Sequence, residues 1–243
     1  MSVLARTRTR DIVEVTVGFA LILTAVWTPL HVQRIVFWLA FSWILSTTLL
    51  ARDDRDKLGL GVSGLYCSLW VVGAALILAL VDLLISIQYG ALHPLYGPVP
   101  IGRHMWGYMI WAVLQQFVLQ DFFLLRLLRL LPSPSAAIVT AAMLFSIAHI
   151  PNPLLTIATL AWGTAACFLF LKYRNLYVLG IAHGILGLCI AVSVPNAIHH
   201  HMRVGLGYLR YSHDQRAARA ELQQRTAEPA TPLQQQGSSL PSQ

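Results

Sequence analysis

Along this chain apolar residues come in long runs separated by short polar or proline-bearing breaks. Most runs are long enough to predict helices that cross a bilayer. The first two cover residues 12–30 and 35–51, and the second ends at the charged turn Arg52-Asp53-Asp54-Arg55-Asp56-Lys57. A third, 62–87, carries Asp82, an intramembrane carboxylate that needs a partner, for which Arg126 or Arg129 would serve. Residues 88–105 hold Gly90, Pro94, Gly97, Pro98, Pro100 and Gly102 and predict an ordered or re-entrant loop. The fourth run, 106–131, reads WGYMIWAVLQQFVLQDFFLLRLLRLL and places Gln115, Gln116, Gln120 and Asp121 where hydrocarbon would be. Lipid offers amides and carboxylates no hydrogen-bond partner, so this helix must turn them toward protein or a wet cavity.

Pro132-Ser133-Pro134-Ser135 stops that helix and can cap the next, 136–150, which is short for a crossing and ends in Phe145-Ser146-Ile147-Ala148-His149. Pro151-Asn152-Pro153 breaks it. A sixth run, 154–171, closes on Lys172-Tyr173-Arg174-Asn175, and a seventh, 176–194, contains His183 with Gly184 and Gly187, small residues that permit close helix approach. Beyond Pro195 come His199-His200-His201 and then, from about Ser212, a polar tail rich in Gln, Ser, Pro and Ala that predicts disorder. The expected fold class is an all-α polytopic membrane helix bundle of seven or eight transmembrane helices over 1–211, with a disordered tail over 212–243.

Composition agrees: 56% of the 243 residues are hydrophobic and 11% charged, with a mean hydropathy of +0.63, which excludes an ordinary soluble domain. The net charge of +7 comes from Lys and Arg that mostly flank apolar runs or lie in the tail, so it argues for loop charges and against a nucleic-acid partner. Arg6, Arg8 and Arg10 favour a cytoplasmic N-terminus. Seven crossings would then put the tail outside, whereas Arg203 and Arg210 favour the inside; a re-entrant fifth segment or an eighth membrane segment would reconcile them. Cys67, Cys167 and Cys189 lie in apolar runs and read as buried thiols, and the first run reads as a retained span. HExxH, phosphate-loop, CxxC and GxSxG patterns are absent, and the His199-His200-His201 triplet reads as an interfacial basic cluster, so neither metal nor other cofactor is expected.

Three core helices offer embedded polar groups: Gln115, Gln116 and Gln120 on the fourth, His149 ending the fifth, His183 within the seventh. At helical periodicity Gln116 and Gln120 lie about 40° apart with Gln115 at the edge of their face, while Asp121 is about 140° from Gln116 and points elsewhere. Interhelical hydrogen bonds worth about 0.6 kcal/mol each would explain any one of them. So many polar groups exceed what one such bond needs, and the expectation is that all five converge on one cavity, with Gln116 and Gln120 on its wall.

The arrangement resembles the type II CAAX prenyl protease and bacteriocin-processing (CPBP, or abortive-infection-like) family of intramembrane proteases. QQFVLQ at 115–120 stands at that family's EExxxR motif, Phe145 to His149 matches its FxxxH, and His183 to Gly187 its HxxxN, over about residues 60–195. The resemblance implies endopeptidase activity on membrane-anchored or prenylated polypeptides in a cell (inner or plasma) membrane. It also implies site residues His149, paired with a Gln or water, and His183, on the oxyanion, with Gln115, Gln116 and Gln120 at the motif positions. Both motif glutamates are Gln here, the Arg is Gln120 and the Asn is Gly187. A Gln amide can orient a water but cannot be its general base. Two classes of function therefore fit: an intramembrane endopeptidase, and a non-catalytic scaffold or chaperone that binds such segments. A small transporter with Asp82 and Asp121 on an ion path is a third, although no internal repeat supports it.

Overall fold

The computed structural model describes residues 3–51, 53–62, 64–92 and 101–227. Among them every regular element is helical: α1 (Val3–Trp27), α2 (Leu30–Ala51), α3 (Leu65–Gln88), α4 (Ile101–Phe117), a π-helical segment (Val118–Leu124), α5 (Leu125–Leu130), α6 (Pro134–Ile147), α7 (Pro153–Tyr173), α8 (Leu176–Ser193), α9 (Asn196–His199), a 3₁₀ turn (His200–Met202) and α10 (Gly205–Ala227). The chain is a multi-pass helical membrane protein. Among the described residues five helices are long and apolar enough to cross a bilayer: Leu30–Ala51, Leu65–Gln88, Met105–Leu130, Pro153–Tyr173 and Leu176–Ser193. The other two expected spans are α1, whose first half carries Arg6, Arg8, Arg10, Asp11 and Glu14, and α6, whose 14 residues reach about 21 Å against a hydrocarbon core of about 30 Å.

The breaks fall where proline and capping residues dictate. Ser133 accepts from the Ala136 N–H ahead of Pro134, Asn152 from Leu155 ahead of Pro153, and Asn175 from Val178, so α6, α7 and α8 each start on a side-chain cap. α7 ends on Arg174 in the left-handed conformation. Of the expected loop over 88–105, residues 101–105 are instead the first turn of α4, whereas Pro94, Gly97, Pro98 and Pro100 lie outside the described residues.

The segment after Ser212, expected to be disordered, is helical to Ala227. Ala217, Ala218, Ala220, Leu222 and the flanking Gln and Arg are strong helix formers, and local propensity extends the helix where apolar patterning gave no reason to expect one. Its start is fixed at Gly205, which has a positive φ of 53°, donates to the Ile150 carbonyl at 2.9 Å and lies so close to Val26 that no Cβ fits. Asn152 Nδ2 donates to the His199 and Arg203 carbonyls, tying the chain beyond α8 to the turn after α6. That whole segment therefore lies at the bundle end where α1 finishes.

At the opposite end α1 is clamped to α5. Arg126 donates to Glu14 at 2.7 Å and Arg129 grips both oxygens of Asp11 at 2.7 and 2.8 Å, while Arg10 adds a second contact to Glu14. This corrects the expected partner of Asp82. Arg126 and Arg129 are engaged with α1, so neither pairs with Asp82, which lies far along α3 from that end and accepts from the Cys189 thiol at 3.0 Å. Glu14, near the start of the first apolar run, is buried with Arg126 inside the protein.

Breaking a buried ion pair strands the remaining charge, so Arg126→Ala should destabilise the fold by about 3–5 kcal/mol. The apolar replacement Glu14→Leu with Arg126→Met should cost far less than Arg126→Ala alone. Unfolding midpoints in detergent micelles distinguish the two variants, and equal losses would show that packing, not charge, sets the cost.

Candidate active site

The α4–α8 contact builds the site. Gly180, Gly184 and Gly187 lie along one face of α8, and a Cβ at these positions would run into Val113, Met109 and Tyr108 of α4 respectively. With no side chains between them the helices approach closely. His183 then reaches α4, where Gln116 Nε2 lies 3.1 Å from its Nδ1. Gln116 Oε1 in turn accepts from Gln120 Nε2 at 3.2 Å, so the two amides and the imidazole form one buried chain. Gln120 also lies beside Cys167 of α7.

The amide nitrogen of Gln116 can only donate. With the amide so oriented, His183 Nδ1 accepts and Nε2 carries the imidazole proton; the ring also hydrogen-bonds the Ala112 carbonyl of α4. His149 has the opposite tautomer: its Nδ1 lies 2.7 Å from the Phe145 carbonyl, which can only accept, so Nδ1 carries the proton and Nε2 keeps its lone pair. The Phe145 ring contacts both imidazoles edge-on, its centroid 4.9 Å from that of His149 and 5.9 Å from that of His183. His149 is thus left with an acceptor at Nε2, and His183 with a donor that the Ala112 carbonyl also meets.

Both rings, with Gln115, line a cavity of about 880 Å³. Its walls are otherwise mostly apolar, drawn from Phe19 and Ile22 of α1, Phe37 and Ile44 of α2, and Trp111 of α4. Such a volume is at the upper end of what small-molecule sites use. The expectation for the glutamines is therefore half right. Gln115 is on the cavity wall, but Gln116 and Gln120 are fully buried behind it and act on His183 from the rear. The face assignment failed because it weighed Gln116 with Gln120 and put Gln115 at the edge, whereas packing against α8 takes the Gln116 face.

Asp82 also lines the cavity and is, among the described residues, the one carboxylate there. Asp121 does not: it sits in the π-helical segment, 1% exposed, and neither of its carboxylate oxygens has a hydrogen-bond partner among the described residues. Tyr108 and Trp162, both on the cavity wall, were not singled out from the sequence. Tyr108 is seven residues before Gln115, two helical turns away on the same face, and that spacing is the signal that would have found it. Among the described residues no three His, Cys, Asp or Glu side chains are grouped to hold a metal ion.

With that geometry in hand, a comparison with protein families is specific: residues 105–189 match the family described as type II CAAX prenyl endopeptidase Rce1-like. That segment is similar to the Rce1-like family. It covers the positions of all three motifs and runs from the start of the fourth span to Cys189, leaving α1 to α3 and α10 outside the match. The resemblance read from QQFVLQ, FxxxH and HxxxG holds. No curated protein and no solved structure matches the chain.

The tautomers are directly measurable. In ¹⁵N-histidine spectra the Rce1-like segment should show His149 protonated on Nδ1 and His183 on Nε2. Gln116→Leu should remove the preference at His183 and leave His149 unchanged, whereas a loss at both would mean that the two rings are held by a common contact instead.

Proposed function

We propose that the protein is an intramembrane endopeptidase of low turnover that takes a lipidated or membrane-anchored polypeptide into the cavity and cleaves it with a histidine pair. The observation that carries this reading is the pair of imidazoles on one apolar cavity, each held through Nδ1, His149 by the Phe145 carbonyl and His183 by the Gln116 amide. His149 Nε2 accepts a proton from water as its oxygen attacks the scissile carbonyl carbon. The negative charge that develops on the carbonyl oxygen is met by the N–H at His183 Nε2. The C–N bond then breaks, and the proton held by His149 passes to the departing amine. The Gln115 amide, on the same wall, orients the water without taking its proton.

The apolar walls explain the substrate class. Each buried methylene of a lipid chain contributes about 0.8 kcal/mol, so an isoprenoid or a transmembrane segment is held by area while the few polar groups position the peptide bond. Low turnover follows from Gln115. General-base assistance is worth about 10²- to 10⁴-fold, and no carboxylate reinforces His149 at the motif position.

A purified sample in nanodiscs with a farnesylated CAAX-like peptide tests the reading. The wild type should cleave slowly, and His149→Ala or His183→Ala should lower the rate by about 10²-fold or more. Gln115→Glu alone should raise it by about 10²-fold, since Gln116 lies behind the wall and need not change. Should the wild type bind this peptide without cleaving it, the scaffold reading takes its place. A loss in Asp82→Asn as complete as in His149→Ala would transfer the base role to Asp82.

A further inference from the structure

Gly187 is one helical turn beyond His183, and the space a side chain there would fill is taken by the Tyr108 hydroxyl of α4. Residues four apart on a helix have Cβ atoms about 5–6 Å apart, so this hydroxyl lies over the same turn of α8 that presents His183. It makes no hydrogen bond to any described residue, and Tyr108 lines the cavity. A phenol in an apolar wall normally has a partner, and its absence leaves a donor aimed at whatever occupies the cavity. The neighbouring Trp162 Nε1 is also unpartnered, but that atom is sealed within the protein, whereas the Tyr108 hydroxyl is not.

We propose that the Tyr108 hydroxyl and the His183 Nε2–H together form a two-donor site for the carbonyl oxygen of a bound polypeptide. Tyr108 is thereby a catalytic residue of the site described above, standing in from α4 for a side chain that α8 lacks at Gly187. The inference rests on the reading of the cavity as a site for lipidated peptide. The same contact explains why Gly187 cannot simply be enlarged: Gly187→Asn collides with Tyr108 unless that ring is removed.

Binding tests this without requiring turnover. Two probes are a farnesylated peptide with a phosphonate in place of the scissile carbonyl, and the same peptide with a methylene there. Wild type should bind the phosphonate more tightly than the methylene probe. Tyr108→Phe should weaken phosphonate binding by about tenfold and leave the methylene probe unaffected. In the activity assay the same variant should lower kcat while KM holds. Gly187→Asn should lose phosphonate preference, and Tyr108→Ala with Gly187→Asn should recover it, because the amide then has room. Equal binding of the two probes by wild type, or equal losses for both in Tyr108→Phe, would overturn the donor pair and leave the cavity assignment intact. Binding of neither probe would overturn the cavity assignment and the donor pair with it.

Discussion

The close approach of α8 to α4 is the constraint on which the site depends. Three glycines on one helix face remove the side chains that would hold the helices apart, and the partner positions on α4 fill the space with Val113, Met109 and Tyr108. Only at that separation does His183 meet Gln116. A buried imidazole with an unsatisfied nitrogen would cost about 1–3 kcal/mol, and the amide chain from Gln120 through Gln116 removes that cost while choosing which nitrogen carries the proton. Packing and chemistry are thus the same event here: the glycines set the distance, the distance sets the hydrogen bond, and the hydrogen bond sets the tautomer.

The helix that supplies Gln116 is held by a second device outside the site. Its continuation passes through seven residues of π-helix, of which Leu119 to Leu124 are all buried, before reaching the arginines that grip α1. The widened turn lets consecutive residues face inward, with Phe122 beneath Gly18 and Phe123 edge-on to Phe19 of α1. Arg126, which packs over the Phe122 ring, closes this assembly against Glu14. The N-terminal helix lies outside the Rce1-like match yet contributes Phe19 and Ile22 to the cavity wall, so the clamp also maintains one side of the binding space.

Most of the fold was legible because bilayer length and proline placement are one-dimensional signals: Pro132, Pro134, Pro151 and Pro153 mark breaks that the structure places within a residue or two. The two histidines were legible as members of spaced motifs. Other features depend on partners far away in sequence. Arg126 finds Glu14 112 residues earlier, and hydropathy cannot choose between that carboxylate and Asp82. Which of the adjacent Gln115 and Gln116 faces the cavity is decided by where α8 packs, a choice invisible to helical periodicity alone. The π-helical register is a change in backbone hydrogen bonding that apolar composition does not encode. The helical run past Ser212 arises from alanine-rich propensity in a stretch whose polarity pointed the other way.

The brevity of α6 has a consequence for solvent. A helix of 14 residues that starts at one face of a 30 Å hydrocarbon layer stops well short of the other, and the chain beyond it, Pro151-Asn152-Pro153 with the His199–Met202 turn, is irregular backbone whose polar groups are satisfied by Asn152 and its neighbours. His149 sits at the lip of that shortfall. On one side of this imidazole the turn after α6 gathers polar backbone around Asn152, and on the other the cavity presents mostly apolar side chains, so the ring marks the boundary between a hydrophilic and an oily environment.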